Sequence, residues 1–574
     1  PGSRTPADGE RCFTSAMTRG PPARSAARKR APFEGIAAVP RVSIYGTGVE
    51  DRDLTRAIPP DADSTGWAQP RLVQPPRGPV WASLRHRTTP LLDEDLRPLT
   101  LPWRTQLGPM IEATDPHEGI RATLALPRAT LPETIPATHS ALWVFDLGES
   151  RVCTAAAILT ARAGDTLTVS YVEKLRDGDL LIPDPATYCR MRPTDRFRLA
   201  DGVNHVEGFT PRGGRYLLFR LDTAAASTPS PRFFARIPAY PLPAPAVTPD
   251  RDPRLHAIQA LCQRTTLACL QDGFVDSVWR ESSQWLGDVV AQSFALRAIT
   301  DDPRPLRLCL EQAALGAATD GILPSVLPGD VPAYVVTDYN FAWVELLADW
   351  HAHPQGDAAL TAELWPVLHR LLDRFHADLG PDGLIRSQPG RRLFLDWSPM
   401  DRAEPNLTYN LRYLHALQTA LRLAKATGHA PNPDWASRAT ALGQAIMATH
   451  ATPQGWQESP MGSRASQLAL AFLILTGLSA SPEALADAII ARSLDPDDAS
   501  DAEKPSLGSP FMHHYLFLAL ARLNRNAEIR AIIAARWGRW ENQPNAWENW
   551  NIDFPDGSAC HGFSAHPLRW LQLT

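Results

Sequence analysis

The sequence predicts a chain of two folded parts, an N-terminal antiparallel β-sandwich followed by an (α/α)6 barrel. Three observations predict it. From about Arg41 to Thr223, short β-branched and aromatic runs with alternating polarity are broken by Gly, Pro or Asp, at the spacing of about 8–12 residues typical of sandwiches. The segment Pro238 to Pro253, "PAYPLPAPAVTPDRDP", is too rich in proline for a regular helix or a central strand. Beyond it the apolar period changes to 3.6 and stays there to the C-terminus.

Taken in order, residues 1–35 are rich in Arg, Pro, Ser and Gly and lack the apolar core of a signal peptide. They are expected to be a disordered or vector-derived tail, with Met17 as a candidate natural start. Residues 36–240 form the expected sandwich, carried by "RVSIYG", "ALWVFDLG", "TLTVSYVEKL", "DRFRLADG", "HVEGFTPRGG" and "RYLLFRLD". Residues 241–253 are the linker. Residues 254–574 carry about twelve amphipathic segments, from "RLHAIQALCQRTTLACL" to "PLRWLQL", with turn signals such as "GPDGL" and "LSASP" between them. With no strand-rich insertion, an α/β sheet is excluded, leaving a helical repeat or a closed ring of hairpins. No fixed-period repeat is evident, which disfavours a regular solenoid, and twelve helices suit six hairpins.

Composition narrows the function. The formal net charge is −5, with 57 basic residues spread among 62 acids, and that balance argues against a nucleic-acid partner. The longest strongly apolar run, Leu468 to Leu475, is less than half of the roughly 20 residues needed to cross a bilayer. It reads as a buried helix, and no membrane partner is expected. Seven scattered cysteines never form C-x-x-C, so neither a zinc site nor a disulfide framework is indicated. No metal and no cofactor are expected, and a reducing, cytoplasmic location fits best. The motifs G-x-S-x-G, H-E-x-x-H, G-x-x-x-x-G-K-[ST] and G-x-G-x-x-G are all missing, which removes the serine-hydrolase, zincin, P-loop and dinucleotide mechanisms.

The densest chemical cluster is "DGFVDSVWRESSQWLGD", with Asp276, Arg280, Glu281, Trp285 and Asp288. Read as a segment entering a helix, it puts Glu281, Trp285 and Asp288 on one face at i, i+4 and i+7, with Asp276 presented from the preceding turn. Two carboxylates and an indole on one face suit a sugar site: carboxylates accept from hydroxyls, Trp gives an apolar platform, and neighbouring charge keeps one acid protonated. The same pattern would also serve a helix N-terminus whose acids match the dipole. A second cluster, "NAWENWNIDFPDGSACHGFSAHP", sets Glu548 between Trp547 and Trp550 and adds Asp556, His561 and His566. Two further groups pair an acid with aromatics: Asp338 with Tyr339 and Trp343, and Asp396 with Trp397. The pair His513 and His514 is read as interior or wall residues.

These motifs, in this order, resemble glycoside hydrolase family 78, the α-L-rhamnosidases. The resemblance rests on "DSVWRESSQWLGD", with Ser277-Val278 where the family usually has Cys-Pro, and on "DGILPSVLP", "FLDWSPMD", "SPFMHHYLFLAL" and "WENW" followed by "SACHGFSAHPLRWL". It implies an inverting exo-glycosidase releasing terminal α-L-rhamnose from plant glycosides or oligosaccharides, with Glu281 as general acid and Glu548 as general base. It further implies that Asp276 and Asp288 bind sugar hydroxyls, that Trp285, Trp343 and Trp397 face the apolar side and methyl of a 6-deoxy sugar, and that Arg280, Asp338, Asp396 and His561 also line the site. His566 is the weakest candidate. With the chain ending at Thr574, the sandwich that usually follows the barrel in the family is expected to be absent, and because the upstream modules look reduced to one sandwich no calcium-dependent sugar-binding module is carried over. The alternatives are an (α/α)6-barrel glycosidase for another sugar and a non-catalytic carbohydrate-binding protein; oligomeric state is left open.

Overall fold

A computed structural model describes residues 50–56, 86–182, 192–243, 247–329, 335–499, 504–551 and 557–574, with the backbone of 29–30. The expected tail at 1–28 and 31–35, the "RVSIYG" run and Asp556 lie outside the described residues. The chain divides into two compact units, one sheet-rich, residues 1–84 and 95–237, and one helical, residues 85–94 and 238–574.

In the sheet-rich unit one 23-residue strand, His139–Ala161, organises the rest. Its first half pairs antiparallel with Arg104–Pro109 and with Arg212–Thr223. Its second half pairs with Gly202–Glu207 and Arg232–Ala239. Arg212–Thr223 continues the sheet to Thr166–Val172, which pairs with Thr194–Arg198. Alternation then sorts the side chains. Leu167, Val169 and Tyr171, with Leu217, Phe219 and Leu221, share one core with Ala155, Ala157, Leu159 and Phe233 from the second set of pairings. Phe219 and Phe233 close it at 4.4 Å between ring centroids. On the opposite face, Leu142, Val144, Val172 and Leu218 are covered by Ile120 of the helix Pro116–Leu124, which Asp115 caps through the His117 N–H.

The helical unit holds twelve α-helices among the described residues, from Pro253–Ala268 to Pro567–Leu573. Alternate members pack in series: Val289–Leu296 on Tyr339–Ala352, then on Leu407–Thr427, Gln467–Thr476 and His513–Arg522. The last helix packs on the first and on Val289–Leu296, so the succession returns to its start. All ten residues of Gln467–Thr476 are buried, the expected fate of the Leu468–Leu475 run. Local chemistry fixes the ends: Asp357, Asn406 and Ser466 each accept the backbone N–H three residues on. Gly428 and Gly477 stop their helices at φ 71° and 73°, where a Cβ would be strained. No helix among the described residues is long and apolar enough to cross a membrane.

One expectation fails. The segment from Asp276 to Asp288 is not helical, and the helix begins only at Val289. Ser282 adopts φ 48°, which interrupts any right-handed turn. The Ser283 N–H is instead taken by Asp276 Oδ1 at 2.9 Å. Gln284–Trp285 then pairs as a short antiparallel ladder with Val326–Leu327.

Candidate active site

The Asp276–Asp288 loop and the segment around Glu548 meet in the helical unit. Ser277 bridges to His561, and the Gly562 N–H donates to the Asp276 carbonyl at 2.6 Å. The Glu548 N–H bonds to the Ser558 carbonyl, and the Ser558 N–H returns a bond of 2.8 Å to Glu548 Oε2. The site is therefore built from main-chain ties between two stretches about 270 residues apart, rather than from one helical face.

At its centre lies Arg280, only 2% exposed. Nη1 contacts Glu281 Oε1 at 2.8 Å and Nη2 contacts Glu548 Oε1 at 2.5 Å, so one guanidinium joins both carboxylates. The Trp285 indole N–H donates to the other Glu281 oxygen, Oε2, at 2.5 Å. Trp285 thus fixes the carboxyl besides offering a ring. Asp276 is fully buried, accepting from Ser283 N and, at 3.0 Å, from the Ser277 hydroxyl. The His561 Nε2 stands 3.6 Å from Asp276 and 4.0 Å from Glu548. Asp288 bonds with the Tyr339 hydroxyl, and its Oδ2 is buried with no partner among the described residues.

Burial acts on all four acids, but their surroundings split them. Burial raises Glu281; Arg280 opposes this, the Glu548 charge adds to it, and the carboxyl stays above its ordinary range. Burial also pushes Glu548 up, yet the Arg280 guanidinium and the Ser558 N–H outweigh it and hold Glu548 below that range. Asp276 lies well above the usual value through burial and the charges of Glu281 and Asp288. Burial raises Asp288 in the same way, with the Tyr339 bond in opposition. Burial lowers His561 to about 3, so the ring is neutral at physiological pH. Two titratable groups driven apart by their environments are the signature of an acid and a base sharing one site.

The structure thus brings together Glu281, Glu548, Asp276, Arg280, Trp285, Asp288 and His561. It leaves other expected residues outside this cluster. Trp343 is fully buried, its indole N–H on the Leu310 carbonyl at 3.3 Å, and has no face to offer a sugar. Asp338 is also fully buried: it accepts from the Phe394 and Leu395 N–H groups and pairs with Arg412 at 2.9 Å. Asp396 accepts from Trp397 N and Ser509 N. Both acids shape the loop that carries the half-buried Trp397. His566 is buried, with Nε2 on the Pro510 carbonyl, and His513 and His514 are interior as expected.

Tyr339, named in the sequence beside Asp338 but given no place in the expected site, belongs to its wall. It adjoins Asp338, meets Trp285 edge-on at 6.0 Å and Phe394 at 5.7 Å, and Phe394 meets Trp397 at 5.1 Å. Gly287 makes this possible, because a Cβ there would lie 2.5 Å from the Tyr339 ring.

Two carboxyls joined through one guanidinium, with opposite shifts and buried acids around them, are compatible with the paired-carboxylate arrangement that glycoside hydrolases use. Residues 250–574 match the family described as the bacterial alpha-L-rhamnosidase six-hairpin glycosidase domain, and the chain belongs to that family. Among solved structures, it is similar to a family 78 rhamnosidase of Bacillus sp. GL1, with 22% identity and a TM-score of 0.68 over 78% of this chain and 48% of that one. It is also similar to a rhamnosidase from Klebsiella oxytoca with rhamnose bound, at 18% identity and TM-score 0.66 over 84% and 96% of the two chains. The α-L-rhamnosidase from Dictyoglumus thermophilum gives 17% and 0.68 over 92% and 56%. At these identities the likeness is one of fold, and the chain spans about half the length of the Bacillus protein. No curated protein matches the chain.

Proposed function

We propose that this protein is an inverting exo-α-L-rhamnosidase with Glu281 as general acid and Glu548 as general base. The observation that carries the reading is Arg280, which holds both carboxyls while their pKa values move in opposite directions. Glu281, whose pKa is raised, serves as the acid: in its protonated form it gives its proton to the glycosidic oxygen as the C–O bond breaks. Glu548, lowered and ionised, takes a proton from a water that attacks the anomeric carbon from the opposite side. One displacement inverts that carbon. Asp276 and Asp288 accept from sugar hydroxyls, and Asp288 Oδ2 is a buried acceptor with no partner among the described residues. Trp285 and Trp397 meet the apolar side of the 6-deoxy ring, and His561, neutral, holds its place between Asp276 and Glu548.

The same reading takes residues 254–574 as an (α/α)6 barrel and 36–240 as a β-sandwich, joined by a linker at 241–253. The return of the last helix to the first supports the barrel, and the single core beneath both sets of strand pairings supports the sandwich. The substrate class is rhamnose-terminated glycosides, and the mechanism draws on no metal or cofactor.

A second reading, a barrel glycosidase for a related sugar, is favoured by Ser277. Its hydroxyl bonds to Asp276 at a position where the resembled family has Cys, so the loop beside one expected sugar ligand differs. A panel of 4-nitrophenyl glycosides separates the two. The proposal expects turnover of the α-L-rhamnopyranoside above all others; a different preferred sugar would shift the assignment, and silence throughout would favour a binding protein.

The rate profile follows from the shifts. kcat/KM needs Glu548 ionised and Glu281 protonated, so the acidic limb is expected below the ordinary Glu value of about 4.3 and the alkaline limb above it. In Arg280→Met both carboxyls lose a cation that favours their charged forms. Both limbs are then expected at higher pH, and a profile that keeps its position would remove Arg280 from the account.

A further inference from the structure

The sheet-rich unit holds a cavity of about 280 Å³ over the face of its strands opposite the core. Alternation dictates what floors it: where Leu167, Val169, Phe219 and Leu221 point into the core, Thr166, Thr168, Arg220 and Asp222 point the other way. Strand register places Arg220 beside Thr168, Thr168 beside Arg196, and Asp222 beside Thr166. The result is two rows of donors and acceptors across three strands. Met110, Ile111 and Pro116 give an apolar wall.

Arg220 is the distinctive member. It is 3% exposed, yet its guanidinium reaches this cavity. Nε is held by Asp222 Oδ1 at 2.8 Å, and Nη2 by the Ile111 carbonyl at 2.7 Å and the Ser140 hydroxyl at 3.3 Å. Nη1 has no hydrogen-bond partner among the described residues, and neither has Asp222 Oδ2. The covering helix makes room for this nitrogen, because a Cβ on Gly119 would lie 2.3 Å from it. Gly is a weak helix former, and the sequence keeps it at this helical position, where a guanidinium must approach.

Charge selects the ligand. Arg220 is matched by Asp222 and Arg196 by Asp51 at 2.7 Å, while Glu112 adds a further carboxylate to the rim. An anion would meet two carboxylates in the cavity and a cation two guanidiniums. A hydroxyl both donates and accepts, and suits alternating Arg, Thr and Asp. The volume lies just under the roughly 300 Å³ at which drug-sized ligand pockets begin, which limits the occupant to about one sugar ring. We propose that this cavity binds a neutral, monosaccharide-sized polyol. Arg220 Nη1 donates to it, Asp222 Oδ2 accepts from it, Thr166 and Thr168 do either, and the apolar wall meets its C–H face. The proposal does not rest on the catalytic reading.

Met110 supplies a local probe. Full-length protein carrying ¹³C-methyl methionine, its Met110 signal assigned with Met110→Leu, is titrated with L-rhamnose, D-galactose, inorganic phosphate and acetate. A neutral sugar is expected to shift the Met110 methyl saturably in the millimolar range, with no response to either anion. Thr168→Val, which removes one hydroxyl at nearly constant shape, is expected to weaken that binding about fivefold, and Thr168→Ile, which fills the cavity, to abolish it. Glycosidase turnover is expected to be unchanged in both, which also checks folding. No sugar-dependent shift, a shift with anions only, or a sugar shift undiminished in both variants would each overturn the proposal.

Discussion

Glu281→Gln is expected to lower kcat on an alkyl α-L-rhamnoside by about 10²–10⁴-fold, the usual worth of a positioned proton donor. Gln preserves the shape of the side chain and can still accept from the Trp285 indole N–H, so the loop should keep its fold. The loss should depend on the leaving group. An alkoxide departs only with a proton, whereas a dinitrophenolate is stable without one. Rates on a dinitrophenyl rhamnoside should therefore fall far less, and the acid role is measured as the ratio of the two losses. Equal losses on both substrates would mean that Glu281 does something other than protonate the departing oxygen.

Glu548→Gln is expected to cost a comparable factor, about 10²–10⁴, but equally for every leaving group, because water must be deprotonated whatever departs. The substitution also leaves Arg280 paired with Glu281 alone. Removing the Glu548 charge takes away one influence that raises Glu281, so the residual activity should lose its alkaline limb at lower pH than wild type. Steady-state rates on the same two substrates across pH test both statements. A leaving-group-dependent loss in this variant would exchange the two assigned roles.

The helical unit was legible because burial on one side of a helix writes itself as a 3.6-residue period, and the wholly apolar run at Leu468–Leu475 marked an interior helix. The members of the site were legible too, since Asp276, Arg280, Glu281, Trp285, Asp288 and Glu548 stand in dense, chemically costly clusters. Their arrangement was not. Ser282 turns the chain at positive φ with no Gly, Asn or Asp to announce it, so a helical spacing was read into a loop. Asp338 and Asp396 stand beside aromatics as a sugar ligand would, yet each spends its lone pairs on backbone N–H groups of a loop. Trp343 and Tyr339 lie four residues apart on one helix, and a pattern of types could not say that the smaller ring faces Trp285. The link through Arg280 joins residues 268 apart in sequence, and no local signal carries such a closure.

The most direct test of the central claim is the configuration of the first product. Wild-type protein acting on 4-nitrophenyl α-L-rhamnopyranoside, followed by ¹H NMR from the first minutes, should release β-L-rhamnose before mutarotation builds the α anomer. First appearance of α-L-rhamnose would contradict single displacement by a water activated at Glu548, and absence of release would contradict the assignment of the sugar.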